Sequence, residues 1–235
     1  MYNLLIAIGA AIITTLLFGY GVGGGEFSFV YGLIPGLFAL LGVYIWLARR
    51  SMKQVQELAT QAQQQLQNQN IDRAVDVLKS GYPMGKWQFF VKAQLDAQIG
   101  TILFVSQRFD EAEGYLKNAF AKNWTAKGML GVLYYKRRKF DEMEKVFEEA
   151  VSANKKQALL WNLYAYCLWK SKQRQKAIDV LNRAQDHLDG NKQTDRNLKA
   201  LKNNRKMKMR SWNQMWYQFH LDRMPMQRQQ ARFRG

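Results

Sequence analysis

The sequence predicts an all-α protein in three parts: an N-terminal two-helix transmembrane hairpin, an antiparallel helix-pair solenoid and a basic C-terminal capping helix. Two long uncharged runs predict the hairpin. Small and apolar residues that recur at nearly constant spacing predict the solenoid, and a concentration of Lys and Arg marks the last part. We therefore divide the chain into residues 1–50, 51–190 and 191–235.

The two uncharged runs cover residues 2–20 and 27–48. Each is close to the ~20 residues with which an α-helix crosses the hydrocarbon core of a bilayer. The glycine-rich stretch 21–26 between them suits a turn. A cleaved signal peptide is the alternative interpretation, but it requires a basic start, and no Lys or Arg precedes Arg49.

The charges beside the runs predict an orientation. Arg49, Arg50 and Lys53 follow the second run, whereas the intervening loop holds only Glu26. Cytoplasmic flanks carry the excess of Lys and Arg, so both termini and the soluble part are expected in the cytoplasm. Neither run contains an ionisable residue, which argues against a transporter or a proton relay.

Gly32 and Gly36 form a pair of small residues four positions apart in the second run. Such pairs let membrane helices approach closely. The partner is either the first run or another subunit, unless the glycines are simply tolerated there without specific packing.

The middle part repeats itself. Gly100, Gly131 and Ala165 each begin a set with further small or apolar residues at offsets +3, +12, +16 and +19. The sets are Leu103, Ala112, Leu116 and Ala119; Tyr134, Met143, Phe147 and Ala150; and Leu168, Ala177, Leu181 and Ala184. A weaker copy begins at Ala62. A small residue on a first helix lets a second helix approach closely. The residues at +12, +16 and +19 then lie on the apolar face of that second helix. The pattern predicts about four antiparallel helix pairs, spaced 38, 31 and 34 residues apart.

This pattern resembles the tetratricopeptide repeat family over roughly residues 55–190, and with the hairpin it resembles membrane-anchored bacterial members of that family. The proline that commonly ends a unit of the family is absent, and the spacings depart from the regular one. The resemblance implies a protein-interaction adaptor at a bacterial inner membrane, with its repeat domain on the cytoplasmic face.

The resemblance also implies a concave groove lined by the first helix of each pair. The family's concave positions fall on Gln94, Thr101, Phe104, Thr125, Val132, Tyr135, Lys136, Asn162, Tyr166, Trp169 and Lys170. This apolar and aromatic set, with two lysines, suits an amphipathic helix or an extended protein segment that carries apolar anchors and some acid. Each aromatic residue could instead pack within the chain, including against the capping helix.

The last part carries twelve of the basic residues and two acidic ones, and the whole chain has a net charge of +17. A capping helix is expected over about residues 194–221, ended by Pro225 and followed by a flexible tail. Its basic residues include Lys199, Lys202, Arg205, Lys206, Lys208 and Arg210. This surface could be merely solvated, or it could bind an anionic bilayer, RNA or ribosomes, or an acidic protein.

Enzyme signatures are missing from the sequence. His187 and His220 are the only histidines, no metal-ligand spacing occurs, and no glycine-rich loop precedes a Lys-Ser/Thr pair. The lone Cys167 is expected to be a small buried apolar residue. We therefore expect a non-enzymatic scaffold without cofactor or metal. The alternatives are an accessory subunit of a membrane complex that packs through Gly32 and Gly36, and a membrane tether for RNA or ribosomes.

Overall fold

The computed structural model describes residues 1–21 and 26–222. Every regular element in this part of the chain is helical, which confirms the all-α prediction. The helices are α1 (Tyr2–Gly21), α2 (Phe29–Gln67), α3 (Ile71–Lys79), α4 (Val91–Val105), α5 (Phe109–Asn118), α6 (Trp124–Lys136), α7 (Phe140–Ala153), α8 (Ala158–Lys170), α9 (Arg174–Gln185), α10 (Lys192–Lys202) and α11 (Gln214–Tyr217). Short 3₁₀ turns lie at Tyr82–Lys86 and Arg210–Trp212. The expected glycine turn at 22–25, Pro225 and the expected tail lie outside the described residues.

The chain divides into two compact units. The first holds residues 1–102 with 118–120, and the second holds 103–117 with the chain from 121 onward. The first unit therefore contains α1, α2, α3 and most of α4. The second contains α6 to α11.

Helix α2 belongs both to the hairpin and to the repeats. It runs for 39 residues and continues without a break through the expected boundary at 50/51. Its second half pairs with α3, and Ala62, Ala74 and Leu78 are all buried there, as the weakest copy of the repeat predicts. The apolar run and the first repeat pair are therefore joined by one rigid helix and not by a linker.

The predicted repeat positions form the cores of the helix pairs. Gly131 on α6 lies so close to Phe147 on α7 that a Cβ atom at this glycine would overlap the phenyl ring. Ala165, Ala177 and Leu181, which hold the same places on α8 and α9, are fully buried. The small residue thus admits the second helix, and this confirms the helical repeat.

Each first helix ends in the same backbone turn. Gln69, Gln107, Arg138, Lys172 and Asn204 all have positive φ. At Lys172 the next N–H, of Gln173, donates to the Leu168 carbonyl at 2.9 Å, and the Lys172 N–H donates to the Trp169 carbonyl at 3.1 Å. This pair of bonds is a Schellman cap. The five residues lie 38, 31, 34 and 32 positions apart, so the turns follow the spacing of the sequence repeat and add a fifth first helix, α10.

The expected helix over residues 194–221 is wrong, because α10 ends at Lys202. Asn204 takes the left-handed conformation, which asparagine tolerates better than most residues, and the Arg205 N–H closes the cap on the Ala200 carbonyl. The chain then becomes extended: Met207 and Met209 are buried, whereas Lys208 between them is exposed. This alternation has the period of a strand and not of a helix.

Candidate protein-binding groove

Helices α6 and α8 of the second unit are covered on both sides. On α8, every residue from Leu159 to Leu168 is buried. A helix covered only by its partner helix would keep an exposed stripe. The second cover is the chain itself, because residues 203–222, here called the C-terminal segment, fold back over the concave side of α6 and α8.

A network of buried amides fixes the start of this segment. The Lys208 N–H donates to Asn197 Oδ1 at 2.8 Å, and Asn197 Nδ2 donates to Asn162 Oδ1 at 2.8 Å. Asn162 Nδ2 in turn donates to Thr194 Oγ1 at 2.8 Å. All three side chains of the network are at most 2% exposed. Since a buried polar group is costly without a partner, this network defines where the segment enters the groove.

Aromatic packing holds the middle of the segment. The Trp216 ring meets Tyr166 of α8 edge to face, with centroids 4.8 Å apart, and Trp216 is fully buried. Its indole N–H donates to Asp222 Oδ2 at 2.9 Å. Burial, followed by the nearby Asp222 carboxylate, raises the pKa of the Tyr166 hydroxyl. The groove therefore takes an aromatic anchor together with a carboxylate.

Phe219 reaches the preceding repeat pair. It is fully buried, and a Cβ atom at Gly128 of α6 would lie 3.3 Å from its ring. Gly128 has no side chain, so it leaves space for this ring between α6 and the segment. Phe219 therefore packs against a position on α6 that has to be occupied by a small residue.

The end of the segment meets α4 and α6. Lys136 Nζ donates to the His220 carbonyl at 3.0 Å and lies 4.8 Å from the centre of the Phe109 ring. His220 Nε2 lies 2.9 Å from the Val105 carbonyl oxygen, which can only accept, so this nitrogen carries the proton. Burial lowers the pKa of the Lys136 ammonium group.

The structure sorts the predicted groove residues by their accessibility. Phe104, Val132, Asn162 and Tyr166 are buried, whereas Thr125, Tyr135 and Trp169 are half-buried. Lys136 and Lys170 are exposed. Gln94, which is exposed, and Thr101, which is half-buried, lie in the first unit. The sequence analysis left open that these aromatic residues pack against the capping region, and Tyr166 does so against Trp216. It did not predict the extended course of residues 205–209, although the alternation of Lys and Met before Arg210 was its signal.

An open edge of the groove remains beside the covered part. A cavity of about 440 Å³ is lined by Tyr135, Phe140 and four basic residues: Lys136, Arg138, Lys170 and Lys172. Lys170 Nζ lies 4.9 Å from the Trp169 ring centre and 5.4 Å from that of Tyr166. Basic and aromatic groups therefore meet where a bound segment would leave the groove.

A second, strongly basic cavity of about 580 Å³ lies between α10 and the extended chain. Four of the predicted anion-binding residues line it: Lys199, Arg205, Lys206 and Lys208. Lys192 and Arg196 join them, and Asp195 is the acidic residue among the lining groups. Lys202 and Arg210 are exposed but do not line this cavity.

The small pair on α2 packs within the hairpin. Gly32 and Gly36 are buried, and a Cβ atom at either would overlap Thr15 of α1. Elsewhere in the described residues, no group of three or more His, Cys, Asp or Glu side chains is placed to hold a metal ion. Cys167 is fully buried, and burial raises the pKa of its thiol.

Comparison with known proteins supports the repeat class. Residues 125–157 match the model of the tetratricopeptide repeat family, and this stretch covers α6, α7 and the turn before α8. No curated protein matches the chain. A solved structure described as "MamA RS-1 ArsTM double mutant" is similar at 16% identity with a TM-score of 0.48, over 71% of this chain and 93% of that chain. The family match points to a protein-interaction scaffold.

Proposed function

We propose that this protein is a membrane-anchored scaffold whose helical repeats bind a segment of a partner protein in their concave groove. The observation that carries the proposal is the C-terminal segment itself. It shows that α6, α8 and α10 can hold a chain of extended residues and short turns through aromatic anchors, buried amides and a carboxylate. A partner segment with the same features competes for this groove.

The hairpin supplies the anchor in this proposal. In the most apolar windows of α1 and α2, 17% and 11% of the residues are buried, whereas a core helix of a soluble protein would be mostly buried. A signal peptide accounts for α1 at best, because α2 continues as one helix into the first repeat pair. Arg49, Arg50 and Lys53 are exposed on α2. Because Lys and Arg are enriched on cytoplasmic flanks, they favour repeats on the cytoplasmic face of a bacterial-type inner membrane in this proposal.

A peptide competition experiment tests the groove. A fluorescent peptide of residues 203–222 is added to the full chain and to a Trp216→Ala, Phe219→Ala variant, and binding is followed by anisotropy. The variant's own segment is loosened, so we expect it to bind the peptide, and the unmodified chain to bind it far more weakly. A control peptide carries the same two substitutions and so lacks the aromatic anchors. As the control on the protein, Tyr166→Ala is added to the variant to remove the ring against which Trp216 packs.

The outcome separates the groove from other surfaces. Binding that needs both the anchors of the peptide and Tyr166 supports the proposal. Equal binding of the control peptide, or binding unchanged by Tyr166→Ala, contradicts it. A crosslinking pull-down from membranes with the unmodified chain and the loosened variant then identifies proteins that compete with the segment.

The basic cavity favours a second candidate function, the binding of an anionic partner. Six Lys and Arg side chains surround it, and such a cluster attracts phosphate groups of lipid headgroups or RNA. Lys199→Gln with Arg205→Gln should weaken binding of RNA or of phosphatidylglycerol vesicles, and the effect should shrink as salt rises. The control is Lys139→Gln with Lys145→Gln. Both residues are exposed, Lys139 directly before α7 and Lys145 within it. If both double variants bind alike, the cavity is not the site.

An accessory-subunit role through the glycine pair is less favoured. Gly32 and Gly36 already pack against Thr15 within the same hairpin. Their small surface is therefore not available to a neighbouring subunit.

A further inference from the structure

Outside the two apolar runs, four large aromatic side chains are exposed among the described residues of the first unit. Trp87 is 49% exposed, Phe89 37%, Phe90 64% and Phe120 42%. The ring centroids of Phe89 and Phe90 are 6.3 Å apart, and those of Phe90 and Phe120 are 4.9 Å apart. We call these four residues the aromatic ledge. Neighbouring apolar groups left exposed in this way mark an interaction surface.

Backbone hydrogen bonds fix the ledge at the level of the first turn of α1. The amino group of Met1 donates to the Lys86 carbonyl, and the Asn3 N–H donates to the Trp87 carbonyl at 3.2 Å. The rings of Tyr2 and Trp87 meet edge to face at 5.2 Å. Trp87 therefore lies at the same level as the residue that begins the apolar run.

The second helix of the hairpin fixes the same level. Asn3 Nδ2 donates to Ser51 Oγ on α2 and to Gln88 Oε1, both at 3.1 Å. Gln88 Nε2 donates to the hydroxyl of Tyr44 on α2 at 3.3 Å. These bonds tie the loop before α4 to the ends of both apolar runs.

The backbone at Phe90 is strained. Its φ is +64°, a conformation that a bulky residue rarely adopts. The ring gains little from burial in return, because most of it is exposed. Strain that is not offset by core packing is often kept for a function, and here it presents an aromatic ring outward.

The charges beside the ledge fit an anionic surface. Lys86 and Lys92 are exposed on either side of it. Asp96 lines a cavity together with Phe89 and Phe90, but it is only 2% exposed and accepts hydrogen bonds from the Tyr82 hydroxyl at 2.6 Å and from Asn118 Nδ2 at 3.2 Å. Aromatic residues together with lysines are typical of the interface between a bilayer and water.

We propose that the aromatic ledge inserts into the interfacial layer of the leaflet at which α1 begins, while Lys86 and Lys92 bind anionic headgroups. This inference rests on the proposed transmembrane hairpin. The first unit then meets the same bilayer twice, through its spans and through the ledge.

Depth-dependent quenching tests the proposal on the full chain in vesicles of phosphatidylcholine and phosphatidylglycerol. Because Cys167 is fully buried, a fluorescent label can be placed selectively at Phe120→Cys or Phe89→Cys. We expect a nitroxide on the lipid headgroup to quench these labels several-fold more than a label at Gln67→Cys, the exposed last residue of α2 in the same unit. A label at Leu17→Cys, within α1, reports on the span through a nitroxide on the acyl chain.

The labels distinguish failure of the ledge from failure of the anchor. If Leu17→Cys is quenched from the acyl chain while the ledge labels behave like Gln67→Cys, the ledge is wrong and the anchor stands. Quenching at none of the positions overturns both. Ledge labels that are shielded from water but not quenched assign the surface to a protein contact and overturn the lipid assignment.

A charge variant tests the headgroup contacts separately. Lys86→Gln with Lys92→Gln should lower the quenching of the Phe120→Cys label in the mixed vesicles toward its value in phosphatidylcholine alone. Lys145→Gln, at an exposed position on α7, is the control and should change nothing. An unchanged signal in the double variant would remove the two lysines from the proposal.

Discussion

Helices α1 and α8 have similar compositions and opposite surroundings. Both consist almost entirely of apolar and aromatic residues, with no acidic side chain in either. On α8 ten consecutive residues are buried, whereas on α1 only Asn3, Ala7 and Gly19 are. The apolar surface of α8 is covered by α6, α9 and the C-terminal segment. That of α1 is covered by α2 along one stripe, and the rest is left exposed by the chain.

This difference predicts a difference in what each side chain does for folding. Leu163→Ala on α8 removes a fully buried side chain and should lower the free energy of unfolding by about 2–5 kcal/mol. Leu17→Ala on α1, where the side chain is 67% exposed, should change it by less than about 0.5 kcal/mol. Urea unfolding in detergent micelles, followed by circular dichroism, measures both. Equal losses would show that α1 is a core helix and would remove the contrast.

A charge on the uncovered side of α1 sharpens the comparison. Ile12 lies near the middle of α1 and is 55% exposed. Ile12→Arg should oppose membrane insertion by about 2.5–3.5 kcal/mol, because an arginine at the centre of a spanning helix loses its hydration.

The experiment for Ile12→Arg is carbonate extraction of membranes, with Ile12→Ala as the control that keeps the position apolar. We expect a larger extracted fraction for the arginine variant alone. If both variants stay in the membrane fraction like the unmodified chain, the exposed side of α1 does not face lipid.

The sequence predicts the helix pairs better than it predicts the C-terminal segment that packs on them. Offsets between small and apolar residues locate the helix pairs, because packing of one helix on another depends on local spacing. The expected boundary at 50/51 falls inside the continuous helix α2. The composition changes there from apolar to polar, which indicates that the residues face a different environment. Arg, Met, Lys and Gln all favour helix, so the helix α2 continues through this change.

The sequence left the groove occupant as one of several alternatives, because the contact joins distant residues. The family resemblance placed Asn162 and Tyr166 on the concave face, yet nothing local says that Lys208 and Trp216, about fifty residues later, lie against them. Treating residues 194–221 as one helix also hid the turn at Asn204. The aromatic ledge was missed as well, since its exposure is a property of the folded first unit.

The amide network tests how firmly the cover is held on α8. Asn197→Ala leaves the Lys208 N–H and Asn162 Oδ1 without their buried partner, so it should lower the free energy of unfolding by about 1–3 kcal/mol. It should also speed cleavage of the C-terminal segment by trypsin. Asn203→Ala, at the exposed position that directly follows the same helix, is the control and should stay within about 0.5 kcal/mol of the unmodified chain. If both variants are alike, the segment does not depend on this network.

The smallest expected effect lies at the end of α8, where Lys172 has a φ of +66° and an exposed side chain. Glycine adopts this conformation without the clash of a Cβ atom, so Lys172→Gly should raise the free energy of unfolding by up to about 1 kcal/mol. Lys145→Gly, at an exposed position inside α7, is the matched control and should lower it by about 1 kcal/mol, because there glycine only adds freedom to the unfolded chain. Urea unfolding measures both variants. A loss of stability at both positions would mean that the turn after α8 does not hold the left-handed conformation shared by the other first helices.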